Sequence, residues 1–486
     1  MHQYAGFIDN HFVLGTGEQL VVENPSDERE VAALGGLSIA QVDEAIASAR
    51  RAYDKGDWCD RPARERAVVL HKFADALAKR SADLIKLVVE EAGCPIKSMS
   101  MGPQIHFPLR QAHEIIDFFL TLPEFEENPL PLLDRVTPTG QTIQSLRRYT
   151  PVGVIAGIAA YNFPFFTALW KVMPALIAGN TVILRPSPLT PLSSMIFGEA
   201  AREAELPKGV LNIVMEPGLE GGRLLTTHPA VDLVAFTGSS TVGVHVLQQA
   251  ATTMKRVQLE LGGKSAQIVL PDAVDRVVPL AVGICTSHAG QGCAIGTRLF
   301  VPEARKAEIV EQIAAAYNRI KVGPANDPET QMGPVISAAQ RARCEHFVSA
   351  AVENGGRVAA GGKRPAHLPK GYYFEPTVLD VPDNSNPAAQ EEIFGPVACV
   401  IGYRDLDHAV AMANDSRYGL SGYVHGVDRQ ASLKVALRIR SGTVNCNAGM
   451  LSTYASSGGQ RASGIGRERG IEGLGLYQQL SCLNLG

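Results

Sequence analysis

The sequence predicts an α/β protein built on parallel sheets covered on both faces. Two observations carry this. Uninterrupted apolar runs at Val152–Ala159, Thr181–Leu184, Leu211–Val214 and Leu233–Phe236 are separated by turn signals and helical stretches. Strands buried on both faces read as continuous apolar runs, and their alternation with helices indicates parallel crossovers. The second observation is length: 486 residues exceed what one hydrophobic core organises, so two or three domains are expected.

Along the chain, the first third reads mostly helical. Val42, Ala45, Ile46, Ala49 and Tyr53 keep helical spacing, as do Ala67, Leu70, Ala74 and Leu77. The β-rich runs begin at residue 151, and such sheets bind nucleotides at the carboxyl ends of their strands. Residues 151–170 lack charge and are long enough to cross a bilayer. Pro151, Gly153, Gly157, Asn162 and Pro164 interrupt them, so a buried strand, a turn and a helix fit better. A second α/β region starts near Leu261 and runs past residue 440. Gln141–Tyr149 and the C-terminal Leu476–Leu485 read as strands able to leave the domain body.

Composition removes several function classes. The net charge of −4 gives no electrostatic case for nucleic acid or an anionic membrane. The eight cysteines form no Cys-x-x-Cys pair, so neither a zinc cage nor a redox dithiol is indicated, and no metal is expected. The N-terminus lacks the basic-then-apolar run of a signal peptide, which together with the free thiols points to a cytoplasmic protein.

Four segments carry chemistry. In Gly290-Gln291-Gly292-Cys293-Ala294, small neighbours leave room for a thiol to attack a carbonyl carbon, although alone the segment more often surrounds a buried free cysteine. In Val257-Gln258-Leu259-Glu260-Leu261, a lone glutamate in an apolar strand is either a paired core charge or an acid/base. The following Gly-Gly-Lys-Ser imitates the end of a phosphate loop. That motif needs glycine at 258, where Gln258 stands. Phe236-Thr237-Gly238-Ser239-Ser240-Thr241-Val242-Gly243 follows an apolar strand and opens a helix, so it is either an ordinary N-cap or a phosphate cradle. Its Gly-x-x-x-x-Gly spacing departs from the usual dinucleotide fingerprint. Tyr161-Asn162-Phe163-Pro164 offers an amide for a developing oxyanion, or merely a turn asparagine before proline.

In this order, these segments resemble the aldehyde dehydrogenase superfamily. The likeness runs from Asn24-Pro25 to Arg467-Glu468. It includes Gly179-Asn180-Thr181-Val182, Glu391-Glu392-Ile393-Phe394-Gly395-Pro396-Val397, Tyr418-Gly419-Leu420-Ser421 and Ser463-Gly464-Ile465-Gly466-Arg467-Glu468. The resemblance implies a Rossmann-type dinucleotide-binding domain (1–128 and 148–260), an α/β catalytic domain (261–455) and a small β oligomerisation arm (129–147 and 456–486). It also implies a homodimer or homotetramer. Cys293 is then the nucleophile, Glu260 the base, Asn162 the oxyanion donor and Lys171 a supporting member of the catalytic set. The expected reaction is NAD(P)-dependent oxidation of an aldehyde to an acid through a thiohemiacetal and a hydrolysed thioester. Ala160, Tyr161, Arg185, Ser187, Pro188, Gly238, Ser239, Gly243, Glu392 and Phe394 are expected to hold the dinucleotide. Phe163, Thr167, Trp170, Gly292, Ala294 and Ser457 are expected to line the substrate tunnel.

Two departures bear on specificity. Arg185 stands where many relatives have lysine, and Pro188 where NAD-preferring relatives often have glutamate. NAD is the expected cofactor. NADP stays open, because Arg185 is able to pair with a 2′-phosphate. Relatives often carry an aromatic near Ser457, so a wider or more polar opening is expected. Arg110 and His113 either meet a polar aldehyde there or face solvent. The alternative activity within the superfamily is a coenzyme A-acylating enzyme or a narrow semialdehyde dehydrogenase. Acyl transfer to coenzyme A is disfavoured by Glu260. A thiol hydrolase would need a histidine such as His288 beside Cys293, and the Gly-x-Ser-x-Gly elbow of a serine hydrolase is absent.

Overall fold

A computed structural model describes residues 3–447 and 452–486. Its strands form sheets of eight, seven, three and two. The eight-stranded sheet has a parallel centre in the order Arg256–Glu260, Leu233–Thr237, Val154–Ile158, Thr181–Arg185, Leu211–Val214. Every residue of Val154–Ile158 and Thr181–Arg185 is buried, which is why these strands read as unbroken apolar runs. Strand order reverses between Val154–Ile158 and Leu233–Thr237. The crevice at their carboxyl ends is therefore the topological switch point where α/β sheets take ligands. Ala160, Tyr161 and Asn162 follow one of these strands, and Gly238 and Ser239 follow the other.

The first third differs from its helical reading in one respect. The helices Ile39–Lys55, Ala63–Ala78, Ser81–Ala92 and Phe107–Leu120 are present, but short strands precede them. Gly6–Ile8 pairs antiparallel with Leu211–Val214 and with His11–Val13, and Gln19–Glu23 with Glu30–Gly35. Strands of three residues show less than two full alternations, too few for a period to register.

The seven-stranded sheet runs Arg357–Ala360, Thr377–Asp380, Val397–Tyr403, Arg298–Pro302, Ala266–Val269, Ser421–His425, Thr443–Cys446. All pairs are parallel except the first, and separate apolar cores cover its two faces. The three-stranded sheet joins Gln144–Pro151 to the C-terminal Gln478–Leu485 and to Phe125–Glu127. Gly464–Ile465, expected in the arm, instead pairs with Arg256–Glu260 in the large sheet.

Candidate active site

Glu260 ends its strand beside Thr237, at the carboxyl edge of the large sheet. Cys293 arrives from the other unit, on the turn between the Val277–Thr286 helix and the Arg298–Pro302 strand. That turn is strained. His288, Ala289 and Gly290 are consecutively left-handed, at φ 51°, 52° and 74°. A Cβ on Gly290 would lie 2.0 Å from the Gly395 carbonyl oxygen, so only glycine fits there. Strain of this kind persists where surrounding structure over-determines it, as around a reacting group.

Asn162 is held from two sides. Its side-chain Nδ2 donates to the Gln291 carbonyl at 2.8 Å, and its own carbonyl accepts from Gln104 Nε2 at 2.8 Å. An amide carries two N–H donors, so one hydrogen remains for a substrate oxygen. Gln291 is anchored in turn: its Oε1 accepts from the Ile336 N–H at 2.9 Å and its Nε2 donates to the His288 carbonyl at 3.2 Å. Gln104 also donates to Cys94 Sγ at 3.2 Å, and Cys94 Sγ lies 3.3 Å from His288 Nδ1. His288 is therefore occupied by Cys94 rather than paired with Cys293.

Electrostatics divide the roles. Burial pushes the Cys293 thiol up to about 12, and Glu392, Glu260 and Glu468 add to the effect. At neutral pH it rests as the thiol. Burial first, then Glu468, raises the Glu260 carboxyl well above the ordinary carboxylate range, against the pull of Lys171, Arg467 and Arg469. Glu260 Oε1 is buried without a partner among the described residues. Behind it, fully buried Lys171 donates to Glu468 Oε1 at 3.1 Å. Burying a lysine side chain is costly unless it is paired in this way.

Cys293, Glu260 and Asn162 border one cleft of about 570 Å³. Ala160, Tyr161, Arg185, Ser187, Pro188, Gly238, Ser239, Glu392 and Phe394 border it as well. Gly243 does not. It is buried against Leu261, where a Cβ would lie 2.5 Å from that side chain. The Ser240–Ala251 helix opens into the cleft with Ser239 as N-cap, its side chain accepting from the Val242 N–H. The remaining first-turn N–H groups have no intrahelical partner, and the helix dipole adds positive potential there. Thr237 Oγ1, also at the cleft, is buried and unpartnered among the described residues. Glu392 Oε1 accepts from the Gly263 N–H at 2.9 Å, and burial raises its carboxyl to about 7. Phe394, left-handed at φ 61°, meets Tyr161 edge-on at 5.9 Å. Donors for phosphate, a carboxylate for hydroxyls and an aromatic face together suit a dinucleotide.

Arg185 forms a buried pair with Glu216, with Nε to Oε1 at 3.0 Å and Nη2 to Oε1 at 2.5 Å, and it donates to the Gly218 carbonyl. The expected tunnel residues lie around the helix Pro164–Ile177 and the cysteine turn. Phe163 packs on His288 and Phe166. Thr167 bonds within its helix, to the Phe163 carbonyl at 2.9 Å. Buried Trp170 donates to Gln111 Oε1 at 3.0 Å. Gly292 packs on Ile295, and the Ala294 carbonyl accepts from the Tyr423 hydroxyl at 2.9 Å. Ser457 pairs with Glu468 through the backbone. Arg110 is engaged with Glu114 at 3.1 Å, and His113 with His71 and Asp75.

Gln104, Glu216 and Arg469 escaped the sequence reading, and Gln291 stood in the cysteine motif without a role. Glu468 sat inside a quoted motif without a role. Among the described residues, no group of three or more His, Cys, Asp or Glu is placed to hold a metal, and no helix is long and apolar enough to cross a membrane.

A dinucleotide-suited cleft at a switch point, entered by a cysteine and a glutamate, defines a class, and comparison names it. The family model described as "Aldehyde dehydrogenase family" matches residues 12–482, and the chain belongs to that family, a family of oxidoreductases. It is 37% identical over 464 residues to geranial dehydrogenase of Castellaniella defragrans, covering 95% of this chain and 94% of that protein. It is 33% identical over 479 residues to betaine aldehyde dehydrogenase of Bacillus subtilis, covering 98% and 96%. Among solved structures, a Mycobacterium tuberculosis aldehyde dehydrogenase complexed with NAD+ superposes with TM-score 0.93 at 36% identity, covering 100% and 98%. A mutant aldehyde dehydrogenase C of Pseudomonas syringae with NAD+ and octanal gives TM-score 0.92 at 34% identity, covering 99% and 96%.

Proposed function

We propose that this chain oxidises an aldehyde to its carboxylic acid with NAD, with Cys293 as nucleophile and Glu260 as base. The observation that carries the reading is the single cleft bordered by Cys293, Glu260, Asn162 and the start of the Ser240–Ala251 helix.

Ser239 and the helix start would hold the pyrophosphate, Glu392 and Phe394 the nicotinamide riboside, and the strand end at Arg185 to Pro188 the adenosine side. NAD, when bound, supplies the acceptor for a hydride from the substrate carbon. The protein's residues perform the rest. The Cys293 thiol loses its proton to Glu260, directly or through one water, and the sulfur attacks the aldehyde carbon. The free Asn162 amide hydrogen and the Cys293 N–H stabilise the oxyanion. Once the hydride has left, a thioester joins the acyl group to Cys293. Glu260 passes the first proton to solvent and then takes one from water, the hydroxide adds to the acyl carbon, and the Cys293 sulfur leaves and regains its proton from Glu260. The balance is aldehyde, NAD+ and water giving acid, NADH and a proton.

Two observations favour NAD over NADP. The Mycobacterium tuberculosis and Pseudomonas syringae relatives were solved with NAD+. Here Arg185 is already neutralised by Glu216, a buried carboxylate that would repel a 2′-phosphate. The exposed apolar residues Leu480, Leu483 and Leu485 on the arm strand suit assembly into a homo-oligomer.

The test is nicotinamide absorbance with aliphatic, aromatic and acidic aldehydes, each with NAD and with NADP. Turnover with NAD exceeding NADP at least tenfold is expected. Cofactor binding with no turnover of any aldehyde would contradict the reading.

A further inference from the structure

Arg110 and His113, the polar groups suggested for the substrate approach, are bound to other side chains. Arg469 is not. It is 4% exposed, yet its Nε and Nη1 are buried without a hydrogen-bond partner among the described residues. A guanidinium carries five N–H donors, and leaving them dry is costly. Its carbon lies 5.1 Å over the Phe166 ring and 5.0 Å over the Trp170 ring. Both rings belong to the helix that begins directly after Asn162-Phe163. The Arg469 backbone is left-handed at φ 62°, held by its flanks: Glu468 pairs with Ser457, and the Gly470 N–H donates to the Thr453 carbonyl. The other two cations of the cluster are accounted for. Lys171 binds Glu468, and Arg467 donates to the Gly442 and Gly458 carbonyls. Glu260 and Cys293 lie within electrostatic reach of Arg469. Lys171, Arg467 and Arg469 all act on Glu260, and of the three Arg469 is the one with no hydrogen-bond partner among the described residues.

We infer that Arg469 is the anion-recognising residue of the substrate site, and that the preferred aldehyde carries a carboxylate on its far end. The inference rests on the assignment of Cys293 as the nucleophile. A carboxylate presents two oxygens to the guanidinium fork and would supply the acceptors it lacks. An alkyl tail leaves the fork dry, and a quaternary ammonium tail is repelled.

The experiment compares kcat/KM with NAD for succinate and glutarate semialdehydes, for alkyl aldehydes of the same chain lengths, and for betaine aldehyde. The enzymes are wild type, Arg469→Leu and Arg469→Lys, with NAD binding as the check of folding. Wild type should favour one semialdehyde over its alkyl match by about tenfold or more, with betaine aldehyde poorest. Arg469→Leu should lose about 10–100-fold on that semialdehyde, mainly through KM, in the range of a charged hydrogen bond. It should change the alkyl aldehyde less than about threefold, and Arg469→Lys should restore part of the preference. Absence of any semialdehyde preference, or an equal fall for both substrates in Arg469→Leu, overturns the inference while leaving the dehydrogenase reading intact. If no aldehyde yields NADH although NAD binds, the assignment of Cys293 fails and the inference fails with it.

Discussion

Cys293 and Glu260 share a desolvated setting, and it shapes their pH behaviour. A raised carboxyl stays protonated to higher pH, and the ionised form that activates water accumulates only as pH rises through that value. The acid limb of kcat is therefore expected well above the ordinary glutamate value of 4.5, and kcat/KM should keep rising on the alkaline side as the Cys293 thiol becomes easier to ionise. Steady-state pH profiles check this, and an acid limb at an unperturbed carboxylate position would contradict it. Asn162→Ala should reduce kcat by about 10²–10³-fold, the usual loss for one oxyanion donor, with NAD affinity retained. A smaller loss would mean that the Cys293 N–H suffices. These three residues were singled out by the family resemblance, since each of their segments alone admits a bland reading. Arg469, Gln104 and Glu216 were not, because their meaning comes from distant partners. Gln104 reaches Asn162 across 58 positions and Lys171 meets Glu468 across 297.

At the scale of elements, two strand ends and one turn build the cleft. The strands were readable from apolar runs, since full burial leaves no polar alternation to confuse. The turn was readable only as glycines around a cysteine. Its three left-handed residues follow from the approach of the Gly395 backbone, which no local pattern encodes. Gly290→Ala should therefore destabilise by about 2 kcal/mol or more, the range for strained backbone and overpacking. It should also impair turnover by displacing Cys293 and Gln291. Denaturant melts together with kcat check it, and a fully active, equally stable variant would mean that the turn tolerates a shift. The Arg185–Glu216 pair belongs to this scale too, because it ties one strand end to the segment after the next strand. Glu216→Gln frees Arg185 and should raise NADP use relative to NAD severalfold. An unchanged cofactor ratio would place the ribose elsewhere.

For the whole molecule, the arrangement explains why two α/β units are needed. One sheet supplies Glu260, Asn162 and the helix start, and the other unit delivers Cys293 and Glu392 against them. The alternation of strands and helices made both units visible in the sequence. The three-stranded sheet was visible as two isolated strands, but Phe125–Glu127 was too short to be read, and Gly464–Ile465 pairs in the large sheet.

The most direct test of the account is a rapid-mixing record of NADH formation in wild type, Cys293→Ala and Glu260→Gln, using one aldehyde that wild type turns over. With thioester formation dependent on Cys293 and its hydrolysis on Glu260, Cys293→Ala should form no NADH while still binding NAD. Glu260→Gln should give a burst approaching one NADH per site, followed by a steady state slower than wild type by about 10²–10⁴-fold. NADH formation by Cys293→Ala, or an unchanged steady state in Glu260→Gln, would contradict it.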